Sequence, residues 1–156
     1  MPGRLSNNKA IVYVLKSADH ASGQAGDSIN MGKVNRVTFV LQCGSLTGDA
    51  VLTVKSGATA GTETTAETFY TRLADADQAS ANADVFGDRQ AGVTTLTLTE
   101  ATYDNRTLLI EVDSDTLTAD QEWLTLAVSS AASVFDASCL AICDPKTEAD
   151  DVGTVI

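Results

Sequence analysis

The residue types that could carry chemistry are few and thinly spread. Ser17, Asp19 and His20 place a nucleophile, an acid and a base within four positions. Acyl transfer would need the imidazole to take the serine proton while the carboxylate orients the ring. Three near neighbours in one Ser/Gly/Ala-rich loop do not supply that geometry, because a base must reach its nucleophile from a support of its own. His20 is the single histidine, so no second imidazole can serve as base or ligand. Asp113, Ser114, Asp115 and Asp120 offer oxygens at a spacing calcium could use, yet the glycine and closing glutamate of a defined calcium loop are missing. They read as solvated turn carboxylates. Cys43, Cys139 and Cys143 are odd in number and contain no Cys-x-x-Cys pair, which argues against both a disulfide framework and a zinc site. On a shared strand the α-carbons of Cys139 and Cys143 would lie roughly 13 Å apart, too far to bridge. All three read as small hydrophobes in a reducing compartment. Asn105-Arg106-Thr107 matches a glycosylation acceptor by pattern alone, with no secretory segment to give it meaning. No catalytic, cofactor-binding or metal-binding residue is assigned, and no cofactor is expected.

The elements that would position any site are strands. With 156 residues and a net charge of −11, the chain suits one domain that buries roughly 70% of its unfolded surface. Hydrophobic residues make up 44% but aromatics only 5%, which predicts a thin aliphatic core. No apolar stretch approaches the length of a membrane span. The strong net negative charge disfavours nucleic acid as a partner, because that affinity comes from Lys and Arg neutralising phosphates. The charge is uneven: five basic residues face two acidic ones up to Arg36, and five face nineteen from there on. A mildly basic amino-terminal arm, residues 1–9 with Arg4 and Lys9, is therefore expected to dock on an acidic neighbour.

About eight short β-branched runs follow one another. Ala10–Lys16 is apolar enough to predict a central strand buried on both faces. Arg36–Cys43 alternates with Val37, Phe39 and Leu41 on one face, and Ala50–Ser56 turns Leu52 and Val54 inward. The Gly44–Asp49 link predicts that these two runs form a hairpin. Residues 57–66 read as an exposed excursion. In Thr68–Leu73, residues Phe69, Thr71 and Leu73 oppose Tyr70 and Arg72. Asp75–Ala81 predicts a short helix or a loop. Val93–Thr99, Arg106–Asp113 and Trp123–Ser129 repeat one inward pattern, and a last strand near Ser138–Cys143 is expected to stop pairing at Asp144-Pro145. The expected organisation is a β-sandwich over residues 10–143, of jelly-roll or Greek-key type, with an acidic tail over 144–156.

Parity singles out a few outward residues. Trp123 opposes Leu124, Leu126 and Val128, so the sole tryptophan either anchors an interface or lies under a covered second face. Tyr70 and Leu109 share outward parity, and together the three are expected to form a subunit contact.

Three segments, GDAVLTVKSGATAGTETTAETFYTRLADAD (48–77), LTLTEATYDNRTLLIEVDSDTL (96–117) and WLTLAVSSAASVFDASCLAI (123–142), resemble the small head proteins of tailed bacteriophages that cement or decorate capsids. The resemblance rests on pattern and carries over no functional residue. It implies a protein made in the host cytoplasm and carried on the virion's capsid surface. It also implies the major capsid protein as partner, a homotrimer, and no cofactor, nucleic acid or membrane. Two rival readings are a carbohydrate-binding β-sandwich, which needs a row of exposed aromatics, and a tail or baseplate component. An enzyme would need a pocket of perturbed titratable groups, which one histidine scarcely permits.

Overall fold

The computed structural model describes residues 8–130 and 133–146. The chain is an all-β sandwich of two antiparallel sheets. Its strands are β1 (Ala10–Asp19), β2 (Gln24–Ala25), β3 (Ile29–Asn30), β4 (Val34–Thr47), β5 (Ala50–Gly57), β6 (Thr65–Ala66), β7 (Tyr70–Leu73), β8 (Thr95–Leu98), β9 (Thr107–Asp113), β10 (Trp123–Ser130) and β11 (Val134–Pro145), with a helical turn, α1 (Glu100–Tyr103), after β8 and a 3-10 turn, Ser114–Thr116, after β9. The first sheet runs β1-β11-β4-β9-β7 and the second β2-β10-β5-β6, with β3 also on β10 and β8 also on β5. Eleven strands replace the expected eight or so because β2, β3 and β6, two residues each, form inside segments that read as loops. No helix among the described residues is long and apolar enough to cross a membrane.

Period-2 alternation builds the core as the sequence predicts. Val37, Phe39 and Leu41 on β4 stand opposite Val112, Ile110 and Leu108 on β9, and all six are buried. Leu126 and Val128 on β10 face Val54 and Leu52 on β5. Each such side chain contributes roughly 1.5–3 kcal/mol on burial, and the two inner faces close on one another to form a single cluster.

Three expectations need correction. The first is the hairpin between Arg36–Cys43 and Ala50–Ser56: β4 and β5 lie in different sheets. β4 keeps pairing with β11 as far as Thr47, and Ala50 starts the second sheet opposite Ser130 and Leu98. The link is just Gly48 and Asp49, and Gly48 at φ 92° turns the corner between layers. Turn chemistry suits a corner as well as a hairpin. The corner is held from outside by the α1 segment, where Asp104 Oδ1 accepts the Leu46 N–H at 2.8 Å and Glu100 Oε2 accepts the Gly48 N–H at 3.2 Å.

The second correction concerns β1, which is an edge strand and not a central one. Val12, Val14 and Leu15 are buried, Leu15 being turned inward by a register shift after Tyr13, while Ile11 and Tyr13 are 52% and 55% exposed. The third concerns the last strand. Its pairing includes Asp144, opposite Arg36, and Pro145, where the strand ends; a shift in register after Asp144 places Pro145 beside Val34 without its donating. Residues 75–81 form a loop. Asp77 Oδ1 accepts the Ala79 N–H at 2.9 Å and the Ser80 hydroxyl at 3.0 Å, local bonds that compete with a helical turn.

One buried carboxylate ties the second sheet to the segment before β10. Glu67, 5% exposed, accepts the Ser56 hydroxyl at 2.5 Å and the Thr118 N–H at 3.0 Å through Oε1. Replacing Glu67 with Ala is expected to cost about 1–3 kcal/mol, because the Thr118 N–H loses its acceptor while the Ser56 hydroxyl keeps Gln121 Oε1 at 2.9 Å. Urea denaturation checks this; an unchanged midpoint would mean water takes over the Thr118 bond.

Candidate interaction surface

The side chains with chemical potential are used by the fold. His20 is buried, and its Nε2 donates to the Lys16 carbonyl at 3.0 Å. Asp19 Oδ1 accepts the N–H groups of Phe135 (3.0 Å) and Ala21 (2.9 Å), and these bonds, that from Phe135 foremost, hold its carboxyl below the usual range. Ser17 donates its N–H to the Tyr13 hydroxyl at 3.2 Å. The three residues fasten the end of β1 and do not converge as nucleophile, base and orienter. Asp113 is engaged by Arg36, with Nε at 2.5 Å from Oδ1, which raises the guanidinium's pKa. Asp115 and Asp120 are exposed, and Asp120 at φ 62° is a left-handed turn residue. Cys43, Cys139 and Cys143 are free and buried, as small hydrophobes.

Of the expected contact residues, Tyr70 and Leu109 lie on the outer face of the first sheet, on adjacent strands β7 and β9. Trp123 does not join them. It begins β10 in the second sheet, between Gly57 and Asn30, and is half-buried. The outer side of that sheet is covered beside it: Thr125, 1% exposed, bonds the Ser28 hydroxyl at 2.8 Å, and Ser28 accepts the Gly61 N–H at 2.8 Å. The small, polar excursion after β5 is thus a cover for this strand. Lys9 pairs with Asp144, and Arg4 lies outside the described residues.

What the structure does assemble is the outer face of the first sheet. Across the strands, one row reads Tyr13, Leu140, Val40, Leu109 and Arg72. The next reads Ile11, Ile142, Thr38, Glu111 and Tyr70. Three of the four exposed large hydrophobics among the described residues, Ile11, Tyr13 and Leu140, stand together at its β1–β11 corner. On β11 the usual order of sizes is inverted, with Ala137, Cys139, Ala141 and Cys143 inside and Leu140 and Ile142 outside. The two flanks differ. Beyond β7, the chain folds back so that Gly87 and Gln90 donate to Leu73 and Thr71, and the Arg89 guanidinium lies 3.6 Å from the Tyr70 ring centroid. Beyond β1, the Asp27 N–H meets the Val14 carbonyl at 3.1 Å, and no such cover runs along Ala10–Tyr13 among the described residues. The sequence reading missed this corner, although Ile11/Tyr13 and Leu140/Ile142 each sit at one parity.

No protein-family model matches the chain, and no curated protein matches it in sequence. Its fold is similar to that of the SPBc2 prophage-derived protein YomS, with a TM-score of 0.55 at 13% identity over 88% of this chain and 93% of that one. A protein of Bacillus endospore appendages, which form disulfide-linked pili, aligns over 94% of this chain and 95% of its own at 13% identity with a TM-score of 0.46. The coat protein of Tobacco streak virus aligns over 94% and 91% at 13% identity with a TM-score of 0.37. Of these three, the likeness to YomS is one of fold.

Proposed function

We propose that this chain is a structural protein of a tailed-phage virion that binds the outside of the head and cements or decorates the capsid. The observation that carries the reading is the contrast above: the catalytic residue types are bonded into the scaffold, while an apolar corner of a sheet face, with Ile11, Tyr13 and Leu140, is presented outward. A protein built this way acts by contact. The resemblance of residues 48–77, 96–117 and 123–142 to phage head proteins supplies the setting, and the fold shared with a prophage-derived protein agrees with it. The mechanism is mass action: a subunit that binds the assembled lattice and not its free parts stabilises the lattice by RT ln(1 + L/Kd) per site, with L its free concentration. A carbohydrate-binding module fits less well, because Tyr70 lies under Arg89 and Trp123 is half-buried, leaving no row of open aromatics among the described residues. A tail or baseplate position is the nearest alternative.

The basic amino-terminal arm is the proposed contact with the shell. Lys9 is paired with Asp144, so Arg4, in the polar stretch ahead of it, is the basic side chain with which the arm can supply charge complementarity that the acidic body cannot. Deleting residues 2–8 is expected to leave the sandwich folded, because β1 begins at Ala10, and to lower occupancy on undecorated heads. The loss should shrink as salt rises from low to moderate, since exposed charge contacts are screened. Equal occupancy of full-length and shortened protein at both salt levels would move the contact elsewhere.

A further inference from the structure

We infer that the outer face of the first sheet is where a second copy of this chain docks, sheet face against sheet face. The inference goes beyond the virion reading and does not depend on it. Three observations choose this occupant.

The first is charge. The chain carries −11, so two copies meeting through most of their surfaces would repel one another. On this face three carboxylates are answered within one copy, Asp144 by Lys9, Asp113 by Arg36, and Glu111 by Arg89 with Nε at 3.2 Å, while Asp136, exposed near the start of β11, has no ion-pair partner among the described residues. An acidic partner copy can therefore approach over the Leu140 and Ile142 rows without burying unpaired like charge there, which is the costly event at an interface. A basic partner would gain nothing here and would be drawn to the other, acidic surfaces.

The second is area. Five strands at about 4.8 Å and four outward rows, the middle two largely apolar and the outer two polar, at about 6.7 Å give a face of order 600 Å² in all. That total, polar rows included, approaches the roughly 800 Å² a partner contributes to a standard interface. The third is shape and chemistry. A sheet face with an apolar middle and paired charges at its margin is self-complementary, as an isologous contact requires. Two such faces pack about 10 Å apart, as the sheets of a sandwich do. The inverted sizes on β11 fit as well, since Leu140 and Ile142 gain burial only if something covers them.

Sedimentation velocity on the full chain tests the inference, at concentrations from about 1 to 100 µM. Association is expected in the wild type. Because Ile11 and Leu140 are 52% and 40% exposed, Ile11→Asp with Leu140→Asp should leave the fold intact, with circular dichroism and melting as the check. The pair should raise the dissociation constant by about 100-fold or more, as removal of central apolar anchors does. Trp123→Ala, on the other sheet, should associate as the wild type does. Should the double variant fail to fold, Tyr13→Arg, at a 55% exposed position, repeats the test singly. A wild type that stays monomeric at 100 µM overturns the inference, as does association unaffected by the face variants. A monomer whose binding to phage heads is abolished by the same substitutions also overturns it, by giving the face to the shell.

Discussion

Raising the pH from 9 to 11 is expected to destabilise the protein by several kcal/mol, and most of that loss should vanish when Cys43, Cys139 and Cys143 are all replaced by Ala. The three thiols line the inner face of the first sheet, at 1%, 1% and 0% exposure. Burial pushes Cys43 and Cys139 up to about 12 and Cys143 up to about 11, from an ordinary value of 9.0. The folded state thus keeps protons that the unfolded chain surrenders above pH 9. Where the unfolded state binds fewer protons, stability falls as pH rises. Stability is therefore fully present below pH 9 and is lost progressively as the pH climbs towards the folded values. Each thiol contributes about 1 kcal/mol per pH unit inside that window. Tyr103, raised by burial first and by Cys43 second, adds the same sign and remains in the triple variant. Urea midpoints at pH 8, 9, 10 and 11 for both proteins measure the difference in slope, so a constant cavity cost in the variant does not interfere. Parallel curves would mean the thiols ionise in place. The same burial predicts no reaction with a thiol reagent at pH 8 until urea is added. Oxidation to a bridge is likewise not expected, since Cys43 and Cys139 are diagonal across the β4–β11 ladder, where α-carbons stand about 7–8 Å apart.

Phe39→Ala is expected to cost about 3–5 kcal/mol. Phe39 lies midway along β4, the central strand of the first sheet, between Ala141 and Ile110, and is fully buried. Its neighbours are fixed by ladders on both sides, so they cannot collapse into the space a ring vacates. Tyr13→Ala removes an aromatic of similar size from the same sheet and should cost less than about 1 kcal/mol, because that side chain is 55% exposed in the single chain. Thermal melts of both variants at low concentration, where any association is absent, give the comparison. A small loss for Phe39→Ala would mean that the sandwich is loosely packed and that its alternation, more than its fit, holds it together.

The contrast between these two residues also marks what could be read in advance. Alternation names the buried face of β4, β5, β9 and β10: Val37, Phe39 and Leu41, Leu52 and Val54, Leu108, Ile110 and Val112, Leu124, Leu126 and Val128 are all inside. That signal is local, and period 2 allows only two answers. Which strands are neighbours is not local. The link at Gly48-Asp49 has the chemistry of a hairpin turn, yet partners about sixty to a hundred residues away, β9, β10 and β11, decide that it is a corner. β1 was misplaced for a related reason. An apolar residue covered by a neighbouring element and one awaiting another molecule look alike in sequence, so Ile11 and Tyr13 suggested a central strand. Trp123, Tyr70 and Leu109 were each given the right parity, but parity does not say which sheet a strand joins, and the structure divides them between two.

The central claim, a virion protein on the outside of a phage head, is tested most directly by electron cryo-microscopy of heads assembled with and without the chain. The account predicts two-sheet density of sandwich size on the outer surface of the shell, present in the first map and missing from the second. Identical heads in the two maps, or density confined to the tail, would contradict it.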